Sequence, residues 1–61
     1  MNANLEWKAI AFTWPVKVGG MEASERIYAG CHHTREDALS AAEQKMREIG
    51  GVGFTVEPVR H

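Results

Sequence analysis

The stretch Leu5-Glu6-Trp7-Lys8-Ala9-Ile10-Ala11-Phe12-Thr13-Trp14-Pro15-Val16 decides the fold. A strand sends alternate side chains to opposite faces, so Leu5, Trp7, Ala9 and Ala11 share one face. Ile10, Phe12 and Trp14 share the other, with Glu6 and Lys8 at its start. A strand with one wet face carries polar residues at every second position, and from Ala9 to Phe12 neither face has one. The stretch therefore reads as a central strand covered on both sides, from Leu5 to about Trp14. Pro15 removes a backbone donor and ends the regular pairing.

Outward from this strand, Met1 to Asn4 is a short polar lead, and Lys17-Val18-Gly19-Gly20-Met21 is a turn in which two glycines permit positive φ. A second strand is expected from about Ala23 to His32, with Glu25, Ile27, Ala29 and Cys31 on one face and Arg26, Tyr28 and Gly30 on the other. Ile27 and Cys31 suit a core on this spacing. Thr34 followed three residues later by Asp37 approximates a capping box, and Glu36 and Asp37 suit the positive end of a helix dipole. Ala38, Leu39, Ala42, Met46 and Ile49 then recur at helical spacing, and Gly50-Gly51 ends the helix. A third strand runs from about Gly53 to Val59, with Pro58 placing it at a sheet edge.

The order strand, strand, helix, strand gives a two-layer α+β domain spanning 1–61. Its sheet is three-stranded and antiparallel with the first strand central, and one helix covers one face. The other sheet face is left bare. A chain of 61 residues lies near the lower limit for a single core without metal, disulfide or partner, so self-association would help stability. An apolar fraction of 44% and a charged fraction of 25% are those of a folding chain.

Seven Lys and Arg against eight Asp and Glu leave no basic surplus, which counts against non-specific nucleic-acid binding. The single cysteine, Cys31, has no internal disulfide partner. No signal peptide and no apolar run near eighteen residues is present, and a soluble cytoplasmic protein is the expectation.

Cys31, His32 and His33 are the residues in sequence that look like metal ligands. Alternation sends His32 away from its neighbours, a second ligand pair is missing, and His61 could join only if the C-terminus folds back, so no metal is expected. Cys31 beside His32 is adjacency rather than a nucleophile oriented on a base, and the glycines fit neither the dinucleotide nor the Walker spacing. No catalytic residue, cofactor or enzyme activity is assigned on these grounds.

The segment Gly30 to Ile49, with its Gly-Cys, short polar turn, Thr-Arg-Glu-Asp-Ala-Leu and alanine-rich helix, resembles the strand-to-helix step of HicB-type antitoxins. It is similar also to that step in the arm-binding domains of phage-type integrases, which are more basic than this chain. The resemblance covers about a third of the chain, is carried by a helix cap and an amphipathic helix, and assigns no family. It implies a small protein of phages or mobile elements that acts by binding and blocking another macromolecule.

The functional expectation rests on the bare sheet face. Ile10, Phe12, Trp14, Arg26 and Tyr28 would form a protein-binding surface, with Trp14 as anchor and Arg26 at the rim, for another protein or a second copy in a homodimer. The alternative uses the same face for RNA or single-stranded DNA, with aromatics stacking bases and Lys8, Lys17, Arg26 and Arg60 holding phosphates. Glu36, Asp37, Glu43 and Glu48 form an acidic helix face. It reads as solvated, or more sharply as a mimic of a nucleic-acid surface, although Arg35, Lys45 and Arg47 interrupt it.

Overall fold

A computed structural model describes residues 5–60, the side chain of Arg60 excepted. The polar lead 1–4 and His61 lie outside the described residues. The elements in order are β1 (Leu5–Phe12), β2 (Val16–Val18), β3 (Met21–Ala23), β4 (Arg26–His32), α1 (Arg35–Ile49) and β5 (Gly53–Arg60). β1 lies between β4 and β5, antiparallel to both, and α1 packs across all three strands. This is the α+β arrangement with a central first strand that the sequence implies.

The helix forms where its signals stand. The Thr34 hydroxyl accepts from the Asp37 N–H at 3.0 Å, which satisfies one of the orphan donors of the first turn. At the other end Gly50 is left-handed, and the Gly50 and Gly51 N–H groups donate to the Arg47 and Met46 carbonyls. Arg47 closes on Glu43 one turn earlier at 2.7 Å.

Ala38 and Ala42 are fully buried against Ala9, with Trp7, Ala29, Ala41 and Val56 packed around them. Alanine on both sides of the contact lets the helix lie close to the sheet. This places Leu5, Trp7, Ala9 and Ala11 on the helix side of β1 and Glu6, Lys8, Ile10 and Phe12 on the open side. Phe12 also anchors the return from the helix, because its carbonyl accepts from the Val52 N–H at 2.9 Å.

Two departures from simple alternation correct the sequence reading. First, Lys8 pairs with Cys31 but Ile10 pairs with Tyr28, so the single residue Ala9 faces two, Ala29 and Gly30. Gly30 takes φ +92, a region that suits glycine, and it forms the extra residue of a β-bulge. The bulge moves Cys31 off the Ile27 face and onto the open side with Tyr28. Cys31 is accordingly exposed rather than a core thiol.

Second, β1 ends at Phe12, and what read as one second strand from Ala23 divides into β3 and β4. Thr13 still meets Glu25: its N–H donates to the Glu25 carbonyl at 3.0 Å, and its hydroxyl accepts from the Glu25 N–H at 2.8 Å. The ladder resumes at Val16 with Ala23, so Trp14 and Pro15 oppose Ser24 alone. Pro15 has no N–H to give, and the interruption falls there.

Beyond it, β2 and β3 form a two-stranded ribbon closed by Gly19 and Gly20, both at positive φ. The loose turn expected at 17–21 is thus the tip of a projecting arm. Among the described residues β2 and β3 pack against no element but each other. The molecule measures 49 × 21 × 11 Å with a radius of gyration of 13.3 Å. A compact chain of this length would have a radius near 10.5 Å, and the arm accounts for the excess.

Candidate functional site

The open sheet face is less bare than its sequence implies. Ile10, expected to touch a partner, has no exposed surface at all. The cause is a bond made across the sheet. Arg26 stands beside Phe12 on β4 and Glu57 beside Lys8 on β5, and their side chains meet at 2.5 Å. Joining those positions requires passing over β1 between Phe12 and Lys8, where Ile10 stands. Beside this pair the Lys8 ammonium lies 5.0 Å from the centroid of the Tyr28 ring. A guanidinium, a carboxylate and an ammonium therefore supply the cover that a second helix would give, with their alkyl stems lying on apolar surface.

This corrects the assignment of Ile10 as a contact residue. Phe12 is partly buried, Tyr28 remains exposed with Lys8 over its ring, and Arg26 is held by Glu57. Trp14 is not on the sheet face. It stands at the neck between sheet and arm, and 62% of its surface is exposed.

The larger apolar surface is on the arm, at whose tip lies the turn expected from Gly19 and Gly20. Val16 pairs with Ala23 and Val18 with Met21, which puts these four residues on one face of the ribbon. Lys17 pairs with Glu22 on the other face. Val16, Val18 and Met21 are all exposed, Met21 to 74%. The alternation Val-Lys-Val, with Met21 and Ala23 flanking Glu22, is the signal in the sequence for this ribbon.

The basic residues of the nucleic-acid alternative are matched by acids. Register brings Lys8 and Arg26 to the side opposite the helix, but Glu57 binds Arg26 and stands across from Lys8, and on the arm Glu22 stands across from Lys17. The side chain of Arg60 lies outside the described residues. On α1, Glu43 pairs with Arg47 and Glu48 with Lys45, so the acidic helix face is interrupted by paired cations.

Cys31 and the histidines do not converge. His32 Nε2 lies 3.2 Å from the Ala29 carbonyl, and His33 lies 3.8 Å from a Glu6 carboxylate oxygen. No group of three metal-ligating side chains occurs among the described residues. The depressions on the surface are open: one of about 400 Å³ lies between Tyr28 and the helix residues Gln44, Lys45 and Glu48. No helix among the described residues is long and apolar enough to cross a membrane.

Compared with protein-family models, with curated proteins and with solved structures, the chain matches none.

Proposed function

We propose that this chain is a non-enzymatic protein-interaction module whose contact surface is the arm and its neck, with Trp14 as the anchor. The observation that carries this reading is that among the described residues β2 and β3 touch no other element while Trp14, Val16, Val18 and Met21 stand exposed. An isolated two-stranded ribbon is marginal in water, so a ribbon with one wholly apolar face gains stability by covering that face. Tryptophan adds large contact area at the cost of few rotamers, which suits an anchor beside such a face. The interface is then narrower than a whole aromatic sheet surface, with Tyr28 and Arg26 serving the sheet. Blocking another macromolecule, as the resemblance to small phage and mobile-element proteins implies, is one use of such an arm.

The test compares the tagged chain with its Trp14→Ala variant in nuclease-treated extract of the source cells. A protein retained in stoichiometric amount by the first and lost from the second is the expected result. Retention that Trp14→Ala leaves unchanged would remove the arm as the contact surface. Retained material that is destroyed by nuclease would instead favour RNA or single-stranded DNA.

A further inference from the structure

We propose that β4 is an acceptor for an added strand: its outer edge, from Arg26 to Tyr28, takes an extended peptide that lies along the groove between β4 and α1. This surface is separate from the arm and goes beyond the contact made there.

The Phe12 carbonyl accepts from the Val52 N–H, so it turns to the β5 side and away from Arg26, its neighbour on β4. The Thr13 N–H donates to the Glu25 carbonyl, so the next pair along is joined. In an antiparallel sheet the N–H and C=O of one residue turn to the same side and alternate along the strand. Those of Glu25 and Ile27 therefore turn to β1, and those of Arg26 and Tyr28 turn outward. Among the described residues no strand pairs with that side of β4, and no backbone bond outside the ladders involves Arg26 or Tyr28. Two donors and two acceptors stand open, on residues about 6.6 Å apart, which is the repeat of another extended chain. The opposite edge of the sheet differs. Trp7, five residues before Phe12, turns to β4, so its partner Pro58 turns outward from β5 and has no N–H to offer. On β4 the open run stops at the Gly30 bulge, where the Ala29 carbonyl lies 3.2 Å from the His32 ring.

The groove defines what fits this edge. Ala41, Gln44, Lys45 and Glu48 recur at helical spacing as a stripe about 10 Å long on α1, and with Tyr28 and Ala29 they border the depression of about 400 Å³. The Tyr28 ring lies on the open side of the sheet with Lys8, so Tyr28 meets the groove by its backbone edge. Ile27 pairs with Ala11 on the helix side, and a peptide residue opposite Ile27 points the same way, toward Ala29 and Ala41. A β-branched apolar side chain suits that floor of methyl groups, with the Lys45 and Glu48 pair beyond it. A peptide residue opposite Arg26 points to the open side. There the guanidinium gives one N–H to Glu57, and with its side chain 47% exposed it keeps donors for a second carboxylate. Antiparallel pairing lets Arg26 and Tyr28 each exchange two bonds with the residue opposite. The occupant is thus an extended peptide, antiparallel to β4, in which a β-branched apolar residue precedes an acidic one.

The test uses the peptide acetyl-Ser-Thr-Val-Glu-Ser-amide, whose Thr, Val and Glu stand opposite Tyr28, Ile27 and Arg26, with backbone amides followed by nuclear magnetic resonance. In the free chain the Arg26 and Tyr28 amides should exchange with solvent faster than that of Ile27. Peptide at ten times its dissociation constant should slow both about tenfold. N-methylation of Thr or of Glu removes a donor aimed at β4 and should weaken binding by about fivefold or more, whereas N-methylation of Val, whose N–H points away, should leave it unchanged. Tyr28→Pro repeats on this edge what Pro58 does on the other and should abolish binding with the helix unchanged in circular dichroism. Tyr28→Val keeps the N–H and should bind within about fivefold of the wild type. No binding, or equal losses at all three N-methyl positions, overturns the proposal. So does protection of the Arg26 and Tyr28 amides in the peptide-free chain together with a doubled mass, which would give the edge to a second copy. Trp14→Ala should leave the affinity for this peptide unchanged, and a loss there would assign the peptide to the arm instead.

Discussion

Arg26 and Glu57, on opposite edge strands, meet at 2.5 Å above Ile10 and cover the central residue of the sheet. Their side chains are 47% and 46% exposed, so water screens the charges and the ion pair itself contributes at most about 1 kcal/mol. The greater effect is cover. Arg26→Met, which keeps the stem and removes the charge, should cost under about 1 kcal/mol in urea denaturation. Arg26→Ala, which uncovers Ile10, should cost about 1–2 kcal/mol more. Equal losses in the two variants would assign the stabilisation to charge and not to cover.

Gly51 is held against the neck of the arm by space rather than by backbone conformation. A Cβ there would stand 2.4 Å from the Phe12 carbonyl oxygen, the same oxygen that accepts from Val52. Gly51→Ala must therefore push the helix exit away from β1, with an expected loss of about 1–3 kcal/mol. Gly53, two residues on, has open space where its Cβ would be, and Gly53→Ala should leave stability unchanged or raise it by up to about 1 kcal/mol. Similar losses at both positions would show that strand entry, not the contact with Phe12, sets the requirement for glycine.

The parts of the fold legible in the sequence are those whose cause is local. Thr34 and Asp37 mark the helix start within four residues, Gly50 its end, and the density of apolar residues from Leu5 to Phe12 marks the central strand. The sequence is silent where one residue changes the register of many. Gly30 inserts a bulge that carries Cys31 to the other face, and the Trp14-Pro15 neck separates an arm from the sheet. Alternation alone cannot show either, because a bulge is defined by the partner strand. The cover on Ile10 was hidden for the same reason, since Arg26 and Glu57 are 31 residues apart in sequence.

The single cysteine reports directly on the bulge. Cys31 is exposed because Gly30 turns the strand, so its thiol in the folded chain should react with a bulky thiol reagent within about tenfold of its rate in urea. Gly30→Ala forces a side chain into a left-handed conformation at an expected cost of about 1–2 kcal/mol. If that variant relieves the strain by losing the bulge, Cys31 moves to the helix side and its reaction slows. A wild-type thiol that reacts only after unfolding would place Cys31 in the core and remove the bulge.

Ile10 and Trp14, on one face by simple alternation, stand in opposite surroundings. Ile10 is fully buried beneath the Arg26–Glu57 pair, so Ile10→Ala leaves a cavity in a core that has little else, at an expected cost of about 2–4 kcal/mol. Trp14 stands largely in water at the neck, and Trp14→Ala should change the stability of the isolated chain by less than about 0.5 kcal/mol. Both are to be measured on the isolated chain by urea denaturation. Partner retention by chains otherwise of wild-type sequence should run the other way, lost in Trp14→Ala and kept in Ile10→Ala at temperatures where that variant is folded. A Trp14→Ala chain that unfolds would make the neck part of the core. An Ile10→Ala chain that is stable but no longer binds would return the contact to the sheet face.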